Sequence, residues 1–226
     1  MTELTYIGHS AFYIHSDDFG ILIDPFISQN PNAKFDFNGK KITDIFVSHG
    51  HGDHLGDAIP ISKQTGAPIT AVYELANYCA DNGASVNAVG LGGKTAYSWG
   101  SARLLPAFHS SSTPDGVYAG MPAAVLIDIK NAKKIYHCGD TCLNKEMELV
   151  GEVYKPDIAL IPIGSCFTMD IDEAVIAARK IGAHTVIPMH YNTFGAINAD
   201  AREFKKRIEA EGKECLILNA GDNLKI

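Results

Sequence analysis

Short apolar runs alternate along the chain with segments in which apolar positions recur every three or four places, the two periods that separate strands from amphipathic helices. Leu4–Gly8, Ala11–His15 and Gly20–Asp24 come first, rich in Ile, Tyr and Phe and only a few residues apart, and they predict an antiparallel meander. Pro25–Lys41 is polar, carries Asn, Pro and Gly with Phe26, Phe35 and Phe37 among them, and predicts a long loop. Loops of that length in compact domains are often functional. Beyond it the pattern predicts strand Ile45–Ser48, a helix over Asp53–Thr65, strand Pro68–Val72 and a helix over Glu74–Asn82. Val86–Leu91, Lys94–Trp99 and Ala102–Ala107 read as strands, and Ala123–Ile129 with Lys134–His137 as a hairpin about a polar turn. A helix over Leu143–Val150, strand Asp157–Pro162 and a helix over Ile171–Ile181 come next, the last headed by a capping box, Asp170-Ile-Asp-Glu173. Strand Thr185–Pro188, a helix over Ala199–Glu211 and short strands Glu214–Leu218 and Asn223–Ile226 complete the series. With no low-complexity linker and no tandem repeat, this order predicts one α/β domain over residues 1–226, with helices on the outer faces of sheet.

Composition narrows the partners. A hydrophobic share of 46% and a charged share of 20% suit an ordinary globular protein. No apolar run approaches the about 18 residues of a membrane span, so no membrane partner is expected. The formal net charge is −7 and basic residues cluster only in short groups such as Lys40–Lys41 and Lys205-Lys206-Arg207, so no nucleic-acid partner is expected either. The five cysteines include no C-x-x-C pair and the N-terminus lacks the basic and apolar regions of a signal peptide, which together predict a reducing, cytoplasmic setting. A homo-oligomer is left open.

The chemistry concentrates in Ser48-His49-Gly50-His51-Gly52-Asp53-His54, an H-x-H-x-D-H run directly after a strand. At this chain's His and Asp frequencies such a run arises by chance about once in a thousand. Alternate histidines in a tight turn aim two imidazoles at one point, while the carboxylate and third imidazole face a second point nearby; such donors suit Zn²⁺, Fe or Mn²⁺. A solvated His-rich turn is the bland alternative. Against it stand His109, Asp140 and His190, each placed just beyond an apolar strand, where ligands of α/β folds gather.

This order, H-x-H-x-D-H, a lone His, an Asp in Gly139-Asp140-Thr141 and a final His, resembles the metallo-β-lactamase superfamily from Asp24 to His190. Gly8-His9-Ser10, Phe167-Thr168-Met169 and Pro188-Met-His-Tyr-Asn192 are similar to the small metal-dependent hydrolases related to the ascorbate-6-phosphate lactonase group. The resemblance implies a four-layer αββα sandwich and two divalent metal ions, zinc first, with manganese or iron as alternatives. It further implies His49, His51 and His109 at one ion, Asp53, His54 and His190 at the other, Asp140 bridging them, and Asp24 holding a ligand imidazole in place. No cysteine replaces a ligand, which disfavours antibiotic hydrolysis.

Five neutral imidazoles and two carboxylates leave a pair of dications with net charge near +2, enough to acidify a bridging water, which then attacks as hydroxide while the ions polarise the attacked group. The function expected is hydrolysis of a small-molecule ester, lactone, thioester or phosphodiester, with Asp53 taking the proton of the water. A phosphodiesterase or nuclease, an iron-dependent oxidoreductase of the sulfur-dioxygenase kind and a non-catalytic metal-binding protein are the alternatives. His9 reads as a second catalytic group, an acid or oxyanion donor, or as plain structure. Tyr191, Asn192 and Thr168 read as pocket lining; His137 and His184 as strand-end packing; Phe35 and Phe37 as anchors of the long loop.

Overall fold

The apolar runs become two stacked seven-stranded sheets in the computed structural model, which describes all 226 residues. β1 (Glu3–Gly8), β2 (Ala11–His15) and β3 (Gly20–Ile23) form the antiparallel meander, and β4 (Asp44–Phe46), β5 (Ile69–Val72) and β6 (Val86–Val89) continue it in parallel. The chain then repeats this course. β7 (Lys94–Tyr97), β8 (Gly100–Pro106), β9 (Ala123–Ile129) and β10 (Lys134–His137) are antiparallel, and β11 (Ile158–Pro162), β12 (Thr185–Met189) and β13 (Glu214–Cys215) extend the sheet in parallel. β14 (Asn223–Lys225) returns to pair with β1.

Strands such as Gly20–Ile23 and Ile158–Pro162 are buried at every position, because one face meets the other sheet and the opposite face meets helices. α1 (Gly52–Leu55) and α2 (Ala58–Thr65) come after β4, and α3 (Tyr73–Asp81) packs with α2 on β5. On the other side α4 (Glu146–Leu149) contacts α5 (Ile171–Ile181), and α5 and α6 (Ala201–Ala210) cover β11 and β12. One continuous apolar cluster runs through both sheets, from Leu4 to Cys215. The result is the four-layer αββα sandwich.

α5 has the bounds its periodicity predicts: Asp170 accepts the Glu173 amide at 2.9 Å, and Gly182 closes the helix in the left-handed region. Two other helices depart from expectation. The predicted Asp53–Thr65 helix is split at Gly56, whose φ of +43° only glycine adopts without strain; a Cβ there would lie 2.5 Å from the Pro25 carbonyl oxygen. The break lets the long loop pass close by, and Asp57 then fastens that loop by accepting the amides of Ile27 and Ser28 and the Ser28 hydroxyl. The predicted Leu143–Val150 helix starts late because Asn144 donates to Thr141 Oγ1 and the Cys142 carbonyl, holding a turn; past Leu149 it widens into a π-type turn over Val150–Tyr154. No helix is long and apolar enough to cross a membrane.

Replacing Gly56 by Ala adds both the disfavoured φ and the clash with Pro25. The expected outcome is a loss of about 1–3 kcal/mol of stability, read from urea unfolding at constant m-value. An unchanged midpoint would show that the backbone there relaxes freely.

Candidate metal centre

β1, β3 and β4 run in one sense within the first sheet, as do β8, β10 and β12 within the second. Their carboxyl ends therefore open onto shared edges, and every expected metal ligand, with His9 and Asp24, lies just past one of them: His9, Asp24 and the 48–54 turn from the first sheet, His109, Asp140 and His190 from the second. His9, Asp24 and His190 have φ of 58°, 45° and 53°, a left-handed conformation that lets each side chain turn back across the strand ends. The two sides are tied directly, since the His190 amide donates to the His9 carbonyl at 2.9 Å and the Ala123 amide to the Ser48 carbonyl at 2.9 Å.

The seven expected ligands converge. His49, His51 and His109 bring ring nitrogens within 4.8 Å of one another, and a carboxylate oxygen of Asp53 meets ring nitrogens of His54, His190 and His9 within the same distance. His49 Nε2 lies 3.0 Å from His51 Nδ1. Asp140 stands between the groups: Oδ1 is 3.2 Å from His54 Nε2, and Oδ2 is 3.0 Å from His190 Nε2 and 3.7 Å from His109 Nε2. Gly50 lacks a side chain because Ala119 sits against it; a Cβ would lie 2.5 Å from that of Ala119.

Asp24, fully buried, sets the orientation of two rings. Its Oδ1 accepts the Ser48 amide at 2.7 Å, and Oδ2 accepts the Ser48 hydroxyl at 2.6 Å and His54 Nδ1–H at 2.7 Å. A carboxylate only accepts, so the Ser48 proton is committed to Asp24 and the Ser48 oxygen is left to accept from His49 Nδ1–H at 3.0 Å. Both histidines then carry a proton on Nδ1 and turn Nε2 toward the cluster. One buried carboxylate thus fixes a ring in each of the two groups.

The donors fit a cation. His54 Nε2, Asp140 Oδ1 and both ring nitrogens of His190 are buried without any hydrogen-bond partner, an arrangement folded proteins avoid unless something else satisfies these atoms. Charge points the same way. Burial opposes protonation of His54, but Asp140 and Asp24 on either side outweigh it and hold its pKa well above the ordinary imidazole value. Burial likewise works against ionised Asp140, and His54 and His190 override it, keeping the carboxyl well below its usual range. Positive charge is called for between these groups. Burial pushes His49 well below the ordinary value, and His51 and His109 lower too, so those imidazoles stay neutral, the state a metal ligand requires.

His9 is not at an opening. Its side chain has no exposure, Nε2 lies 3.2 Å from Asp53 Oδ2 and Nδ1 lies 2.9 Å from Thr193 Oγ1. Burial pushes its pKa down to about 4 against the pull of Asp53, so the neutral ring donates Nε2–H to Asp53 and accepts the Thr193 hydroxyl. It is placed to hold Asp53 rather than to reach a substrate. Tyr191 and Asn192 line a cavity of about 390 Å³ with Lys34 and Thr193 on the Nδ1 side of His9, and the Asn192 side chain closes its own loop by bonding to both backbone groups of Ala199. Thr168 is half-buried with its hydroxyl unpartnered, in the loop between β11 and α5. His137 is a satisfied core group, with Nε2–H donated to the Ser10 carbonyl and Nδ1 accepting the Gly139 amide. His184, expected to pack, is exposed, because it sits before β12 at the edge away from the cluster. Phe35 and Phe37 do anchor the long loop to the core. Ser48, Thr193 and Phe194 are not singled out by the sequence; of these only Ser48, adjoining the histidine run, carries a positional signal.

Residues 20–191 match the family described as the beta-lactamase superfamily domain. A UPF0173 metal-dependent hydrolase of Desulforamulus reducens is 43% identical over 229 residues, which cover 99% of this chain and 100% of that one. A protein of the same description from Bacillus cereus is 40% identical over 228 residues, 98% and 99% of the two chains. Among solved structures, a metallo hydrolase of the hyperthermophilic archaeon Ignicoccus hospitalis superposes with a TM-score of 0.90 at 36% identity, over 100% of this chain and 99% of that one.

Asp24→Asn keeps the shape of the side chain and removes its charge and one acceptor. The expected outcome is a fall in metal affinity of about 10–100-fold, measured by competition with a chromophoric chelator, with the fold intact by circular dichroism. Unaltered affinity would mean that the His54 and His49 rings are held by their packing alone.

Proposed function

We propose, because this chain belongs to the beta-lactamase superfamily and is a metal-dependent hydrolase, that it holds two divalent cations and hydrolyses a small ester, lactone or thioester. The observation that carries this reading is the set of buried, unpartnered donor atoms on His54, Asp140 and His190, facing one another between two groups of imidazoles. His49, His51 and His109 would hold one cation, Asp53, His54 and His190 the second, and Asp140 would touch both. Imidazole with carboxylate suits zinc, with manganese and iron as the alternatives. Such cations supply Lewis acidity, bringing water close to ionisation at neutral pH and polarising the carbonyl under attack.

The rest of the task falls to the chain itself. Asp24 and Ser48 keep the Nε2 atoms of His54 and His49 turned inward, so the cage is preorganised before any substrate arrives. Asp53 is the carboxylate that is both in the cluster and open to solvent, with 29% of its side chain exposed. His9 engages its Oδ2, which leaves Oδ1 to accept the proton of the attacking water. Thr193 in turn steadies His9, so a line of hydrogen bonds runs from Thr193 through His9 to the proton acceptor.

Metal analysis of the purified chain tests the reading. Two equivalents per chain are expected, with ester or lactone hydrolysis abolished by chelation and restored by the metal. His51→Ala and Asp140→Ala should each reduce the stoichiometry and abolish turnover, whereas His184→Ala, exposed and remote, should do neither. Full turnover with both metals retained in Asp140→Ala would remove the bridging role.

A further inference from the structure

Six of the eleven large hydrophobic side chains exposed on this protein lie in three loops that rise from the same strand ends as the metal centre: Phe108, Val117, Tyr118, Met121, Phe167 and Phe194. The loop between β8 and β9 carries the first four, that between β11 and α5 carries Phe167, and that between β12 and α6 carries Phe194. Isolated exposed apolar residues are ordinary, but several gathered about one cluster of unpartnered donors are not.

Each of the principal loops is held there by bonds to the centre's own framework. Phe108 precedes His109; its amide donates to Thr141 Oγ1, beside Asp140, and its carbonyl accepts the Cys142 amide. The Tyr118 turn is fixed over the histidine run, because Ser111 Oγ accepts the Gly50 amide and the Ala119 amide donates to the Ser111 carbonyl. Phe194, on the loop after β12, has its ring 5.5 Å from that of His9 and 6.3 Å from that of Phe26, and is still 41% exposed.

The same three loops contain no lysine or arginine. Their carboxylates are all committed: Asp115 accepts from Tyr78 and Thr113, Asp170 caps α5, and Asp200 caps α6. A phosphodiester or polyanion would meet no counter-charge on these loops beyond the centre itself, Lys34 belonging instead to the cavity on the Nδ1 side of His9. An uncharged apolar group would find aromatic surface on all three loops.

We propose that these loops form an apolar collar that takes the acyl or aryl portion of a neutral, hydrophobic ester or thioester, with Phe108, Tyr118 and Phe194 as its principal walls. The proposal rests on the hydrolytic reading above and names its substrate class. In the reaction water adds to the carbonyl carbon and the C–O or C–S bond breaks. The carboxylic acid and the alcohol or thiol are released, the latter with the proton given up by the water.

Straight-chain alkanehydroxamates, from aceto- to octanohydroxamate, probe the collar without turnover, because the hydroxamate head binds a metal centre whatever the tail. Titrated calorimetrically into the metal-loaded protein, Kd is expected to fall about two- to fourfold for each added methylene, the upper figure being full burial. The fall should be clearly shallower in Phe194→Ala and Phe108→Ala, and Tyr118→Ala, at a more exposed position, serves as a third variant should either fail to fold. A Kd independent of tail length in the wild-type protein would overturn the collar while leaving the centre standing, and so would equal slopes in wild type and variants. Absence of binding at every length would defeat the hydrolytic reading and the collar together. A dimer in sedimentation that Phe194→Ala dissociates, with no tail dependence, would reassign the patch to a second copy of the chain.

Discussion

A fully buried aspartate, Asp24, bonded at 2.7 Å to His54 and at 2.6 Å to the Ser48 hydroxyl, is the contact on which the rest of the site depends. An ionised carboxylate removed from water costs several kcal/mol unless its oxygens are met by donors. Here three donors meet them, all from residues that border or belong to the ligand run. Ionisation of Asp24 opposes its burial, yet His54 outweighs that and draws the pKa below the ordinary carboxylate value. The charge is therefore stable only while His54 and Ser48 stay where they are. Orientation of the imidazoles and solvation of the aspartate are one and the same interaction.

The centre is also a product of strand direction. A β-strand projects successive side chains to opposite faces, so residues that must meet at a point cannot come from within one strand. They come instead from the loops at the carboxyl ends of strands running alike, and left-handed backbone at His9, Asp24 and His190 turns these residues inward. Neither sheet has a full set. The first supplies the histidine run and Asp24, the second His109, Asp140 and His190, and the two sets meet only because the sheets stack through a shared apolar interior.

How far the sequence foretold this differs by element, for physical reasons. Strands buried on both faces read as unbroken apolar runs, and α5 announced its start through the Asp170 capping box, while its Gly182 cap shows in the structure. The histidine run stood out because so many imidazoles and a carboxylate at that spacing serve little purpose apart from binding a cation. The break at Gly56 was hidden, because a glycine within a helical pattern is tolerated often enough to be passed over; its cause is Pro25, distant in sequence. His9 was legible as a candidate but its partner was not, since Thr193 lies 184 positions away and an isolated threonine carries no periodic or motif signal. The gathering of Phe108, Tyr118 and Phe194 was likewise invisible, for exposure is a property of the assembled surface.

The division of the ligand set between two stacked sheets has a thermodynamic consequence. Whatever ion occupies such a centre binds the native chain and not its separate halves, so its binding energy adds to the cohesion between the sheets by mass action. Metal supply would then set part of the stability of the fold, and both layers would share the gain because they share one apolar interior.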